Sequence, residues 1–327
     1  MFKDYCENIT EQEYRESNRL SYSLLKELSD IGPKVLLEGL KGVDNSGTRL
    51  GSIVDKLTTE PGYDPLQEFI ITDINLEIEA NNTGRLLKWA KDNNTLLTQE
   101  SDLTEIYNEL DIKRPLTLTD EFFLKVDMLL NEDKYLHKNE YDLANTMADT
   151  FNNHIFTKDI FNPNPDYEVI NQAIIFFNIY GEECKCMIDK ILVNHKKKII
   201  YPYDVKTGAE SNFMKNFFGF KYYYQGALYT TAIQSIIQTE KEFQGYVVAP
   251  FTFIYLSRVN PTFPLKFSMC IDYIEDVMTG FETRSGFTVR GILQLIDDVK
   301  WYRENNEFVF TRELLENNGT IKINSPK

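Results

Sequence analysis

Histidine and cysteine are both scarce in this chain, with three and four copies among 327 residues. His137 and His154 show no ligand spacing, and a lone histidine is more often structural than catalytic, so neither enters a candidate site. Cys6, Cys184, Cys186 and Cys270 are scattered, and only Cys184 and Cys186 form a C-x-C pair. That excludes the local spacing an iron–sulfur cluster needs and reads as apolar buried thiols. No apolar run approaches the ~18–20 residues of a membrane span. The acidic, polar start MFKDYCENITEQEYRES is not a signal peptide, so the sequence predicts a cytoplasmic protein. Basic residues are outnumbered 35 to 50, giving a net charge of −15. This argues against a protein that coats nucleic acid non-specifically, while leaving room for one local basic groove. Repeats and low-complexity segments are lacking too.

What is present is ordinary for a folded protein: 42% hydrophobic and 26% charged residues, enough chain for one large domain or two small ones. The most informative stretch is 184–229. Residues 186–193 are apolar and β-branched apart from Asp189 and Lys190, NHKKK supplies a polar turn, and IIYPYDVKTG returns as a second strand ending at Gly208. Alternation puts Asp204 and Lys206 on one face, and an antiparallel partner can set Asp189 beside Asp204 on that face. A helix then carries Gln225 and Tyr229 four apart, on a shared side.

Two opposed carboxylates in a half-buried sheet repel, and a divalent cation removes that cost. Oxygen ligands suit Mg²⁺ or Mn²⁺, and a neighbouring lysine can orient or deprotonate a water and offset charge on a phosphate. An acidic-x-basic triplet alone says little, since roughly five are expected by chance at this composition. Each residue also has a plainer reading. Asp189 can be a strand-end aspartate facing water, Lys206 one more solvated lysine, and Tyr222, Tyr223 and Tyr224 simple packing. Lys196, Lys197, Lys198, Lys206, Lys215 and Lys221 cluster in sequence around the site, although 196–198 reads equally as a solvated turn.

In order and content, CMIDKI, YDVKTG and the Q-x-x-x-Y of YYQGALY resemble the PD-(D/E)xK nuclease superfamily, in its RecB-like and RecE-like exonuclease branch. The resemblance implies an α/β fold with a mixed central sheet flanked by helices, a restriction-endonuclease-like core, and a metal-dependent DNA exonuclease. It implies that Asp189, Asp204 and the backbone carbonyl of Val205 hold Mg²⁺ or Mn²⁺, that Lys206 positions the water, and that Gln225 and Tyr229 touch DNA or brace the lysine. In GTRLGSIVDKLTTEP, Gly51 opens a Gly-x-x-x-His-like pattern in which Asp55 replaces the histidine; an aspartate there can still bind the metal. Related enzymes act on DNA ends in recombination and repair, and many come from phages. A homo-oligomer and a single-strand annealing or recombination partner belong to the same expectation. Two other classes stay open: a catalytically inactive nucleic-acid-binding or assembly protein on the same scaffold, and an unrelated Mg²⁺ hydrolase of small phosphates.

The rest of the chain reads more coarsely, as one nuclease domain over 1–327. Residues 19–40 suit a helix, a break at Gly32-Pro33 and a second helix, with Ser21 or Ser23 as cap. Residues 1–61 thus hold N-terminal helices and the Gly51–Asp55 pattern, and 62–165 a mostly helical insertion. The span 166–260 holds the core sheet and helix, with 169–182 a strand turning at Gly181 and QGYVVAPFTFIYLSR one or two strands. The C-terminal part, 261–327, adds a strand over LKFSMCIDYI, a helix over VRGILQLIDDVKWYRENN and a polar tail.

Overall fold

Strands β1 (Glu168–Ile179), β2 (Glu182–Asn194) and β3 (Ile199–Gly208) form a meander in the computed structural model, which describes residues 1–40, 46–209, 212–284 and 286–320. Tyr180 and Gly181 take positive φ to close the first turn, where the Asn178 side chain accepts the Gly181 N–H at 2.7 Å. The polar segment 195–198 closes the second. Strands β4 (Thr252–Ser257) and β5 (Leu265–Ser268) complete the order β1-β2-β3-β4-β5, and Val247–Val248 adds a short sixth strand alongside β3. All pairs along the main path are antiparallel except β3 with β4. The sheet is therefore mixed.

Strand β1 carries one irregularity, at Gln172. Ile170, Ile191 and Val193 belong to the main core, as do Ala173, Ile175 and Phe177 with their partners Ile188, Cys186 and Cys184. Strict alternation cannot bury both 170 and 173 on one face. The register is unchanged across the gap, Asn171 opposing Lys190 and Ala173 opposing Ile188, but Gln172 and Asp189 are left unbridged. Gln172 has φ 49°, a left-handed value rare for any residue with a side chain. The strand turns its buried face over at this residue.

Six helices pack with the sheet: α1 (Tyr22–Ile31), α2 (Ser46–Thr59), α3 (Phe213–Gly219), α4 (Tyr222–Thr239), α5 (Ile271–Thr279) and α6 (Ile292–Asn305). Ser21 caps α1 by accepting the Leu24 N–H, and Gly32 ends it at φ 87°. Helix α4 is the crossover between β3 and β4, which explains their parallel pairing. It is buried on most sides, and Gly226 lets it sit close: a Cβ there would lie 2.3 Å from Met269 Sδ and 3.3 Å from the Phe251 ring.

By its internal contacts the chain divides into two units, residues 1–61 with 146–327, and residues 62–145. The second has its own small core, including Leu86, Ala90, Phe122 and Val126, and a parallel pair Ile70–Thr72 with Tyr135–His137. Contacts group 146–165 with the sheet rather than with the helical stretch that the sequence reading carried to 165. Three other readings change. LKFSMCIDYI is a strand only over Leu265–Ser268, because Cys270 starts α5. A hairpin of Gly280–Glu282 with Thr288–Arg290 appears where no strand was expected. The tail forms a short helix, Arg312–Glu316, and its residues 321–327 lie outside the described residues. Cys184 and Cys186 are buried free thiols, whereas Cys6 is partly buried and Cys270 exposed, so the buried-thiol reading holds for two of the four. Among the described residues no helix is long and apolar enough to cross a membrane.

Candidate active site

The β2–β3 ladder stops at Lys190 opposite Tyr203. One residue further, the Asp189 carboxylate replaces the missing main-chain partner: its Oδ2 accepts the Val205 N–H at 2.6 Å. The two strands part here around acidic side chains. Asp204 is fully buried, and its Oδ1 accepts a hydrogen bond from Gln225 Nε2 on α4. Its Oδ2 lies in an ion pair with Lys206 Nζ. Besides this ammonium, no donor reaches that oxygen among the described residues. The Lys206 ammonium also sits 5.1 Å from the centre of the Tyr222 ring.

Asp55 arrives from α2. Gly51 lets this helix close on the end of β3, since a Cβ there would lie 3.3 Å from Thr207 Oγ1. One turn later the Asp55 Oδ2 accepts a 2.6 Å hydrogen bond from Gln172 Nε2, while Oδ1 is buried without a partner. The left-handed backbone of Gln172 re-aims its side chain toward α2, and the neighbouring Asn171 amide donates to the Thr59 carbonyl. Asp55, Gln172, Asp189, Lys206, Asn216 and Arg258 line one cavity of about 960 Å³, and the fully buried Asp204 is not part of its lining.

Electrostatically the cluster is short of positive charge. Burial first, then Asp204, pushes the Asp55 carboxyl up to about 7, against the Gln172 hydrogen bond and Lys206. Burial, Asp204 and Asp55 hold Asp189 well above the usual carboxylate range, with Lys206 and the Val205 N–H opposing. Burial also raises Asp204, partly offset by Lys206 and Gln225. For Lys206, burial disfavours the charge, but Asp204 and Asp189 outweigh it and keep the ammonium protonated far above neutrality. A lysine held this way is a cation at neutral pH.

The residues fit a hard divalent cation in their chemistry: three carboxylates of elevated pKa, an Asp55 oxygen buried without a partner, an Asp204 oxygen held by the Lys206 ammonium, and the Val205 carbonyl on the same strand. They are not drawn together around one point. Among the described residues, no group of three His, Cys, Asp or Glu side chains is close enough to hold a metal.

Gln225 and Tyr229 differ from their expected roles. Gln225 is 5% exposed and braces Asp204, not Lys206. Tyr229 is 7% exposed and lines a separate cavity with Tyr14, Arg19 and Lys185. Both are too buried to touch DNA in this conformation. The expected lysine cluster also disperses: Lys196 pairs with Asp166, Lys198 donates to the Gln244 carbonyl and Lys221 pairs with Asp30. Of the six lysines, only Lys206 lines the cavity. The sequence reading missed Arg258 and Asn216. Arg258 carries a readable signal only once β4 is known to run parallel to β3, with Ser257 opposite Gly208.

The fold and cavity define an α/β protein with a mixed sheet flanked by helices and a charged pocket lined in part by Asp55, Asp189 and Lys206. No protein-family model matches the chain, and no curated protein sequence matches it. Among solved structures it is similar to a presumed exonuclease from Eubacterium rectale, at 13% identity and a TM-score of 0.49, over 97% of this chain and 96% of that one.

Proposed function

We propose that the chain is a metal-dependent deoxyribonuclease with a restriction-endonuclease-like core, acting on DNA from an end. One observation carries this reading: Asp55 and Asp189 line one cavity with Lys206, which is ion-paired to the buried Asp204, and Asp55 Oδ1 is buried without a partner. Asp189, Asp204, the Val205 carbonyl and Asp55 are the groups that would hold Mg²⁺ or Mn²⁺. Such an ion, when bound, polarises a phosphodiester and makes water a stronger nucleophile near neutral pH.

The chain's own groups do the rest. Gln225 fixes the Asp204 carboxylate and Gln172 fixes Asp55, so both acids are oriented before substrate arrives. Lys206 offers its ammonium to the attacking water and to the charge that builds on the phosphate oxygens. Tyr222 beneath the lysine limits where that ammonium can go.

Purified protein should degrade linear duplex DNA with Mg²⁺ or Mn²⁺ and leave it intact in EDTA. Lys206→Ala and Asp204→Asn should lower the rate by at least about 10²-fold with unchanged circular dichroism. Equal rates for wild type and Lys206→Ala would remove the mechanism.

A second reading, a catalytically inactive nucleic-acid-binding protein on this scaffold, draws on the absence of three convergent ligands among the described residues and on Asp55 where the superfamily pattern has histidine. DNA binding that ignores divalent ions, with no cleavage under any of them, would select it.

A further inference from the structure

The cavity lining also takes in Gly208 and two side-chain donors that are not among the proposed metal ligands, Arg258 and Asn216. Arg258 follows β4 directly, and its backbone N–H donates to the Gly208 carbonyl at 2.8 Å, which fixes its Cα beside the end of β3. Asn216 approaches from α3: its Nδ2 lies 3.0 Å from where a Gly208 Cβ would stand, and Tyr255 Oη lies 2.8 Å from that point. Glycine at 208 is what leaves this space open. Both side chains line the cavity.

Arg258 is distinctive among the lining cations. Arg15 pairs with Glu11, Lys206 pairs with Asp204, and Lys56 is engaged as well. Arg258 has no carboxylate partner among the described residues, although Asp55, Asp189 and Glu60 line the same cavity. A guanidinium that engages none of the carboxylates around it is a poor stabilising feature and a good anion ligand, because its fork donates two parallel hydrogen bonds to a phosphate. The Asn216 amide adds a neutral donor from the opposite wall. Lys206, opposite Tyr255 in the β3–β4 register, is three residues upstream of the Arg258 level. At ~3.3 Å per residue this sets the Arg258 Cα roughly 10 Å along the strand from the Lys206 level, a spacing that suits a neighbouring phosphate.

We propose that Arg258 and Asn216 form a phosphate subsite that grips the backbone of a nucleic-acid strand one step from the scissile bond. This rests on the nuclease reading and specifies how its substrate is held. A contact to a flanking phosphate is the same before and during bond cleavage, so its loss falls mainly on KM rather than on kcat.

The test uses a fluorescein-labelled thymidine hexanucleotide with Ca²⁺, binding followed by anisotropy over a range of NaCl, alongside Mn²⁺-dependent cleavage kinetics on the full chain. Arg258→Ala should weaken binding about tenfold and lower the slope of log K against log salt by about 0.7, the loss of one phosphate contact on a single strand. Its KM should rise by a similar factor. Arg258→Lys should keep the salt slope while losing part of the affinity, and Asn216→Ala should weaken binding without changing the slope. If wild type binds and cleaves while Arg258→Ala and Arg258→Lys match it in affinity, slope and KM, the subsite is refuted and the nuclease reading stands. If wild type neither binds nor cleaves, both fall together.

Discussion

Gln172 shows how much a single backbone angle can decide. Its left-handed φ flips the buried face of β1, leaves Asp189 without a ladder partner and aims an amide at Asp55. Replacing it by glycine or alanine separates the backbone from the side chain. Both lose the hydrogen bond to Asp55, but only alanine keeps the strain, so Gln172→Ala should be less stable than Gln172→Gly by about 0.5–1 kcal/mol in urea unfolding. Asp55 gives a pH test at the same scale. Its carboxyl ionises at about 7 when folded and near its ordinary 3.8 when unfolded, so between these values the folded chain holds a proton that the unfolded chain has lost. Its contribution is therefore full below 3.8, declines as pH rises through that window and is gone above about 7. In EDTA, melting temperature should fall by on the order of 5 °C from pH 5 to pH 8, and Asp55→Asn should flatten that decline. Equal slopes for the two proteins would contradict the assignment.

At the scale of elements, the acidic strands were legible and their irregularity was not. The alternation in IIYPYDVKTG marked β3 from Ile199 to Gly208, and the polar turn before it pointed to β2 as its antiparallel partner, a ladder that runs as far as Lys190 opposite Tyr203. Both follow from a local pattern of period two. The turnover at Gln172 could not be read, because glutamine carries no sign of a positive φ. The split of LKFSMCIDYI into β5 and α5 escaped for a different reason: short apolar runs fit strand and helix alike, and tertiary packing decides. Gln225 was marked by its spacing to Tyr229, but only the crossover geometry shows that its partner is Asp204. Helix α4 depends on close approach at Gly226. Gly226→Ala gains about 1 kcal/mol of helix propensity yet forces a methyl against Met269 and Phe251. A net loss of about 1–3 kcal/mol in urea unfolding is expected, and Met269→Ala in the same chain should recover part of that penalty.

For the whole molecule, charge frames the interaction with DNA. A net charge of −15 repels a polyanion at long range, and Glu11, Asp55, Glu60 and Asp189 line the cavity beside its cations. Affinity for DNA should therefore depend on a divalent ion in the cavity. At moderate salt, the hexanucleotide should bind at least about tenfold more tightly in Ca²⁺ than in EDTA. Affinity unchanged by EDTA would favour the inactive binding protein. The division into residues 1–61 with 146–327 and residues 62–145 was only partly visible in the sequence. The sequence reading set an insertion at 62–165 within one domain, and the Asn- and Asp-rich breaks only separated its helices. The far boundary falls inside the continuous helix Lys138–Asn153, where composition does not change.

The central question is whether Asp189 and Asp204 share one cation. Crystals soaked in Mn²⁺ and measured at the manganese absorption edge answer this directly. An anomalous peak within about 2.2 Å of carboxylate oxygens from both aspartates, with the Val205 carbonyl also coordinated, is the expected result. A fully soaked crystal with no peak in this cavity, or with manganese bound only elsewhere, would contradict it.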